Sequence, residues 1–256
     1  MTTRPPLALA YHGVERMPLK DDRYRLMVDP AALRKHIALL RKWGYEFVTF
    51  VELARRVAAG SEAASGCVAL TFDDGFADNH STLLPLLRDE GITASVYVVF
   101  NDMGKPHHVM PWRRCLHPEE VVELHEGGVE IGSHCMDHVD LDTLSYDECL
   151  AQLRESREAL SSLVGAPVET CAYPYGRASE HARRACRDAG YLAACRTSGN
   201  GSWDDPWNLP RQDMIAAGTR FGLWLKRDDR YQPLVRTFPG RVARGLFHRA
   251  QVRAGR

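Results

Sequence analysis

The sequence predicts an α/β fold, a distorted and incomplete (β/α) barrel with six or seven parallel strands. Short apolar runs alternate with amphipathic helical segments about six or seven times along the chain, which is typical of parallel strands joined by crossover helices. The run Cys67–Phe72 is almost wholly apolar, as expected of a strand buried on both faces. The sequence contains no glycine-rich phosphate turn of the kind used by open doubly wound sheets, and this favours closure into a barrel.

Local patterns predict each element in turn. Leu7–Tyr11 is an apolar strand, and Pro30 opens a helix whose apolar residues recur at helical spacing until Gly44. A helix beginning at Ser145 carries acidic residues in its first turn, where the helix dipole favours them. Further strands are predicted at 47–49, 67–72, 94–100, 129–131, 168–172 and 192–195, and further helices at 51–59, 83–88, 118–125, 145–163 and 180–189. Residues 14–29, 101–117 and 196–215 are predicted to be irregular.

Composition narrows the class of protein. The 256 residues are 45% hydrophobic and 26% charged with no formal net charge, which is ordinary for a globular protein and shows no bias toward nucleic acid. The seven cysteines include no CxxC pair and are odd in number, so we expect free thiols and a reducing compartment. No apolar run approaches the roughly 18 residues of a membrane span, and the N-terminal apolar stretch is too short for a signal peptide. We therefore expect a cytoplasmic protein.

Polar residues collect where predicted strands end. Asp73 and Asp74 directly follow one strand, and His134 and His138 follow another. The carboxyl ends of barrel strands meet at one face, which holds the chemistry in such folds. Two imidazoles and one carboxylate leave a coordination position open for water, as in hydrolytic zinc sites, while the second carboxylate can take a proton. The strand-end residues predicted to share this site are His12, Asp73, Asp74, His134 and Tyr173.

Three segments resemble the leading motifs of the polysaccharide deacetylase family, carbohydrate esterase family four. They are TFDDG at 71–75, SHCMDH at 133–138 and YPYG at 173–176, in the family's order and rough spacing. The resemblance covers about residues 5–215. Tyr11-His12, Trp112 and Leu209-Pro210-Arg211 are similar to the branch that acts on bacterial exopolysaccharide and cell-surface glycans. The resemblance implies the same incomplete barrel.

The resemblance also implies a reaction: metal-dependent removal of N-acetyl groups from acetylated amino sugars, releasing acetate. Asp73 resembles the general base, and the backbone N–H of Tyr175 resembles the oxyanion donor. Asp74, His134 and His138 resemble the ligands of the metal, usually zinc, although such a set also accepts Co²⁺, Ni²⁺ or Mn²⁺. The side chains expected to contact an N-acetylated glycan substrate are Tyr173, Pro174, Trp112 and Trp203.

The sequence departs from the family pattern in two places. Ala172 stands where many relatives have an arginine that pairs with the base, and we expect Arg211 to supply that charge instead. The acid that protonates the departing amine is open between His12 and His248, the latter in a Leu-Phe-His segment that matches a late family motif by letters. A packing role for His12 is a third interpretation.

Other residues near the motifs have two interpretations each. His107 and His108 are expected to be solvent-exposed loop residues, with a substrate-cleft wall shared with Met110 and Trp112 as the alternative. Asp137 and Asp140 either accept hydrogen bonds from metal-bound imidazoles or lie on the surface, and Cys135 is interpreted as a small core filler. A carbohydrate-binding or assembly protein without turnover, or a deacylase of an N-acylated secondary metabolite, is the alternative function.

We assign residues 1–225 to the catalytic domain and 226–256 to a basic tail. The tail has nine Lys or Arg and two Asp, with Val235, Phe238, Val242 and Leu246 at helical spacing. Such a helix can lie on an anionic membrane surface, which would place the protein at the inner membrane face, or it can pack on the acidic remainder of the chain. Nucleic acid is not an expected partner.

Overall fold

The computed structural model describes residues 4–18, 20–197, 201–214 and 223–224. Within them it has eleven strands: Leu7–Tyr11 (β1), Gly13–Val14 (β2), Met27–Val28 (β3), Glu46–Val48 (β4), Cys67–Phe72 (β5), Ser95–Val98 (β6), Glu130–Ser133 (β7), Thr170–Ala172 (β8), Ala193–Arg196 (β9), Leu209–Pro210 (β10) and Gln212–Asp213 (β11). Its α-helices are Pro30–Lys42 (α1), Phe50–Ala58 (α2), Leu84–Glu90 (α3), Pro118–Glu126 (α4), Tyr146–Val164 (α5) and Glu180–Asp188 (α6). A π-helical turn, Asn79–Leu83, precedes α3.

Nine of these strands form one parallel sheet that nearly closes on itself. Its order is β10-β9-β8-β7-β6-β5-β1-β11, with β4 paired to the amino-terminal half of β5. The two ends of this order, β10 and β11, are separated in the chain by Arg211 alone, so one short segment spans the seam. The predicted incomplete (β/α) barrel is confirmed. The predicted count of six or seven strands is too low because β10 and β11 have two residues each and lie in a stretch predicted to be irregular.

Successive side chains of each strand point alternately to the two faces of the sheet, and this separates two apolar clusters. In β5, Val68, Leu70 and Phe72 belong to the larger cluster, which includes apolar residues of α1, α3, α4, α5 and α6. The alternate parity of the strands, away from those helices, faces the inside of the barrel. The smaller cluster contains the small residues of this parity, Ala8, Cys67, Ala69, Ala172, Ala193 and Cys195, and the ring of Tyr97, together with Val48, Leu209 and three residues of α2, Phe50, Leu53 and Ala54. Since successive side chains of a strand point to opposite faces, the inward parity of β5 continues from Ala69 through Thr71 to Asp73.

Helix ends follow local chemistry. Asp29, Thr49, Ser145 and Ser179 each accept a hydrogen bond from a backbone N–H in the first turn of the helix that they precede, which stabilises such ends by about 1 kcal/mol. At the far end of the barrel from the predicted site, Glu130 accepts from the N–H of Val51 at the start of α2. These caps explain why the predicted boundaries of the long helices agree with the structure to within two residues.

The remaining sequence expectations concern a loop, the cysteines, membrane spans and the tail. Residues 14–29, predicted to be irregular, contain β3 and the second residue of β2, which pair as a small parallel sheet. All seven cysteines are buried and free. No helix in the described part of the chain is long and apolar enough to cross a membrane. The 226–256 tail and His248 lie outside the described residues, so the domain division and the membrane contact stay predictions.

Gly132 makes room for Tyr97, its cross-strand partner in β6. A β carbon at 132 would lie 2.5 Å from Tyr97 Cδ1 and 3.0 Å from Thr170 Oγ1. We expect Gly132→Ala to lower the free energy of unfolding by about 1–3 kcal/mol because overpacking forces neighbours out of place, measured as the shift in urea midpoint. In a Tyr97→Leu background the same change should cost less, and an equal cost in both backgrounds would contradict this explanation.

Candidate active site

Asp73 lies at the carboxyl end of β5 and is fixed by a buried arginine. Arg211, whose side chain is 0% exposed, donates from Nη1 to Asp73 Oδ1 (2.7 Å) and from Nη2 to Asp73 Oδ2 (2.8 Å). Nη1 also donates to Thr71 Oγ1 at 2.8 Å, and the guanidinium lies 5.3 Å from the centroid of the Tyr97 ring. This bidentate ion pair holds the Asp73 carboxylate in one orientation.

Electrostatics keep Asp73 ionised despite its burial. Burial alone would raise the pKa of its carboxyl, but the charge of Arg211, followed by that of His134, outweighs burial and lowers the pKa below the usual value. The same ion pair raises the pKa of Arg211 against an opposing effect of burial. Asp73 is therefore a carboxylate with a fixed orientation, which is what a proton acceptor requires.

Asp74 is turned toward the same site by an unusual backbone conformation. In an extended strand its side chain would point away from that of Asp73. Its φ of 69° lies in the left-handed region, which is uncommon for a residue with a β carbon and is concentrated at functional sites. As a result Asp74 Oδ1 lies 3.4 Å from His134 Nε2 and 3.5 Å from His138 Nε2.

The two imidazoles present Nε2 to this carboxylate. His134 Nδ1 donates to the Ala172 carbonyl at 2.6 Å, an assignment that leaves Nε2 free to act as a ligand. Burial lowers the pKa of His134, but the carboxylates of Asp74 and Asp73 outweigh it and raise the pKa, so this position attracts positive charge. Burial and the neighbouring His134 lower the pKa of His138 to about 3, so this ring is neutral.

Asp74, His134 and His138 fit a divalent transition-metal ion. Each offers one ligand atom, and these atoms all lie within 4.8 Å of one another. Asp74 Oδ1 has no hydrogen-bond partner in the described part of the chain although it is buried. Two imidazole nitrogens and one carboxylate oxygen are the donor set of a zinc-type hydrolytic site with an open position.

The loop histidines form part of this site. His107 is buried, with Nε2 3.0 Å from Asp74 Oδ2, and its ring stacks on Phe76 at 4.2 Å. The expectation that it is a solvent-exposed loop residue is therefore wrong. His108 is exposed, as expected, and stacks on His138 at 4.3 Å. Sequence reasoning missed His107 because its partner is 33 residues away and no motif links the two.

The third motif forms a tight turn beside the cluster. Pro174–Gly176 is a single 3₁₀ turn with Tyr175 at φ 58°. The Tyr175 ring is 57% exposed and contacts His138 edge-on at 4.6 Å. Tyr173 is fully buried and donates from its hydroxyl to the Trp207 carbonyl at 2.9 Å. The Tyr173 and Pro174 side chains are therefore inside the protein, where they support the turn instead of lining an open surface.

The remaining predicted contacts lie in different environments. Trp112 is 59% exposed, whereas Trp203 is half-buried against the inner apolar cluster. His12 is half-buried, and its proximity helps to lower the pKa of both the Asp73 and Asp74 carboxyls.

Residues within and just after the second motif support its loop. Asp137 accepts hydrogen bonds from Asn101 and Gln152, so its observed partners are amides and not imidazoles. Asp140 pairs with Arg177. Cys135 is buried at φ 71°, which agrees with its interpretation as a core filler.

The fold and this cluster define an α/β-barrel protein with a fixed carboxylate beside three side chains that could hold a metal ion. The family model described as polysaccharide deacetylase matches residues 60–194. The chain belongs to the polysaccharide deacetylase family.

The chain is also similar to curated relatives, and a solved structure shares its fold. YxkH of Bacillus subtilis (strain 168), provisionally named a polysaccharide deacetylase, is 26% identical over 205 residues, which cover 78% of this chain and 71% of that protein. The poly-beta-1,6-N-acetyl-D-glucosamine N-deacetylase of Escherichia coli (strain K12) is 32% identical over 82 residues, 32% of this chain and 12% of that protein. The Streptococcus pyogenes deacetylase PplD, solved with acetate, superposes with a TM-score of 0.76 at 21% identity, covering 88% of this chain and 99% of that one.

Removing the Arg211 charge tests the buried pair. We expect Arg211→Met to lower the free energy of unfolding by about 3–5 kcal/mol at neutral pH because Asp73 is left as an uncompensated buried charge. The folded-state pKa of Asp73 is lowered, so the pair's contribution is present above the usual carboxyl pKa of about 4 and is lost as the pH falls through the folded-state value. Urea unfolding should therefore show that the difference in free energy of unfolding between wild type and Arg211→Met becomes smaller as the pH is lowered from neutral to acidic.

Arg55→Met is the matched control, because Arg55 pairs with Glu169 on an exposed surface. It should cost at most about 1 kcal/mol. An Arg211→Met effect as small as this, or one that does not change with pH, would contradict the assigned role of the pair.

Proposed function

We propose that this chain is a metal-dependent hydrolase that removes N-acetyl groups from polymers or oligomers of acetylated amino sugars, lipid-linked glycans included. The observation that carries the proposal is the Asp73 carboxylate, oriented by Arg211, beside the Asp74–His134–His138 set. Family membership supports deacetylation in general. The metal requirement and the identity of the sugar are the parts that this proposal adds.

In the proposed reaction Asp73 accepts a proton from water, and the resulting hydroxide forms a bond to the acetyl carbonyl carbon. The C–N bond then breaks, and an acid returns a proton to the departing amine, leaving acetate and a free amino sugar. Asp74, His134 and His138 would hold the cation, which would polarise the carbonyl and lower the pKa of water when bound. The lowered pKa of Asp73 supports its role as a base that is ionised at neutral pH.

Two further residues would complete the chemistry. The backbone N–H of Tyr175, in a turn whose ring contacts His138, is proposed to donate to the oxyanion that develops on the carbonyl. His12 is proposed as the acid because its position influences both carboxyls and it remains partly exposed. His248 stays the rival prediction.

The substrate class is proposed from the exposed aromatic residues and a relative. The side chains of Trp112 and Tyr175 are both more than half exposed, and aromatic rings of this kind can stack on the apolar faces of sugars. The Escherichia coli relative is named for deacetylation of poly-beta-1,6-N-acetyl-D-glucosamine. We propose N-acetylglucosamine oligomers as the first substrates to assay.

Asp73→Asn tests the proposed base. The amide keeps the size of the carboxylate but cannot accept the proton, so we expect acetate release from these oligomers to fall at least about 100-fold, in line with the usual worth of general-base catalysis. Zn²⁺ binding, measured by equilibrium dialysis, should persist because Asp73 is not among the proposed ligands.

Asp89→Asn, which alters an exposed ion pair with Arg34, is the control and should leave turnover unchanged. Treatment with a chelator should abolish wild-type acetate release, and added Zn²⁺ or Co²⁺ should restore it. Full activity of Asp73→Asn, or wild-type turnover that survives metal removal, would overturn the proposal.

A pH–rate comparison distinguishes the two acid candidates. Loss of the group that protonates the amine should remove the alkaline limb of the kcat/KM profile, because that limb reports deprotonation of the acid. We expect this for His12→Ala and an unaltered profile shape for His248→Ala. The reverse result would assign the role of the acid to His248.

A further inference from the structure

The loop at 104–116 is fastened along the segment that carries Asp74. Leu116 N–H donates to the Gly75 carbonyl at 2.7 Å, and Ala77 N–H donates to the Arg114 carbonyl at 3.1 Å. Phe76 and Cys115 form an antiparallel bridge. These bonds place the loop beside the left-handed turn at Asp74 by main-chain contacts alone.

His107 has its orientation and its proton fixed by this loop. Its own N–H donates to the Arg113 carbonyl at 2.8 Å, and its ring is 1% exposed and stacked on Phe76. Val109 N–H donates to His107 Nδ1 at 3.4 Å. Because Nδ1 accepts this hydrogen bond, the ring proton is on Nε2, and Nε2 then donates to Asp74 Oδ2 at 3.0 Å.

We propose that His107 is a positioning residue that makes Asp74 a ligand through one oxygen only. This inference rests on the proposed metal site. The hydrogen bond from His107 occupies Oδ2, and it leaves Oδ1, which has no hydrogen-bond partner among the described residues, between the two Nε2 atoms of His134 and His138.

The hydrogen bond from His107 is needed because the backbone alone does not fix the rotation of the Asp74 carboxylate. The φ of 69° fixes the direction of the Asp74 Cα–Cβ bond, but the terminal torsion of an aspartate is broad and roughly two-fold. A carboxylate that is free to rotate can bind a cation through one oxygen or through both. A two-oxygen mode would fill a position that a hydrolytic site keeps for water or substrate. His107 excludes that mode by holding Oδ2.

The test compares Zn²⁺ affinity of the full chain and its variants, measured by competition with a chromophoric chelator and without substrate. We expect His107→Phe to weaken Zn²⁺ binding about 10- to 100-fold, the usual effect of losing a partner of a metal ligand. His107→Gln keeps an N–H donor and should recover most of the affinity. His80→Phe is the matched control, because the His80 ring pairs with Glu123 instead of with a proposed ligand; it should bind Zn²⁺ within about threefold of wild type.

A second readout concerns coordination number and not affinity. The visible spectrum of bound Co²⁺ reports geometry, and we expect a weaker absorption in His107→Phe because the freed Oδ2 adds a ligand. Wild-type affinity together with a wild-type Co²⁺ spectrum in His107→Phe would overturn the inference. Metal-free unfolding curves check folding, and His107→Met, which fills the space without a donor, replaces His107→Phe if the latter does not fold. A wild type that binds Zn²⁺ but releases no acetate would overturn the proposed function alone.

Discussion

The ion pair between Arg211 and Asp73 is the constraint on which both the barrel seam and the site depend. Arg211 is the single residue between β10 and β11, and the seam is bonded on both sides of it, by Arg211 N–H to the Arg196 carbonyl and by Met214 N–H to the Ala10 carbonyl. Its guanidinium at the same time neutralises the carboxylate that ends β5. A buried charge without its partner costs several kcal/mol. Docking of the last two strands and formation of the charged site are therefore energetically coupled.

This pairing also determines what the rest of the site can bind. The guanidinium of Arg211 balances the charge of Asp73, and His138 is neutral. One negative charge therefore remains, at Asp74, beside the Nε2 atoms of His134 and His138. Asp74, together with Asp73, raises the pKa of His134, and the negative charge of Asp74 would attract a divalent cation to the same place. Since Arg211 satisfies Asp73 through both oxygens, the two adjacent aspartates do not compete for one ion. Asp73 and Asp74 thus have different roles because their partners differ.

The sequence was sufficient for features that arise from periodicity and from local chemistry. Parallel strands, helix boundaries and the convergence of residues 73, 74, 134 and 138 follow from apolar runs, caps and the rule that strand ends meet at one face. The sequence was insufficient where a contact depends on the conformation of a loop. His107 reaches Asp74 only because main-chain bonds fold its loop back along Gly75 and Ala77. Tyr173 was expected to contact the substrate, but its side chain is buried and its hydroxyl donates to the Trp207 carbonyl. Neither contact has a signature in residue spacing.

The position of Ala172 shows how the inner face of the barrel accommodates the arginine. The resemblance implies that many relatives have an arginine where Ala172 stands, on the inward parity of β8. Here that parity carries small residues in β1, β5, β8 and β9. Small inner side chains leave space at the core of the barrel for one large cation, and Tyr97 provides the ring on which it lies. Gly132 in turn leaves room for that ring. The guanidinium therefore enters from the β10–β11 connection instead of from β8, and the same charge reaches the same carboxylate by a different route through the fold.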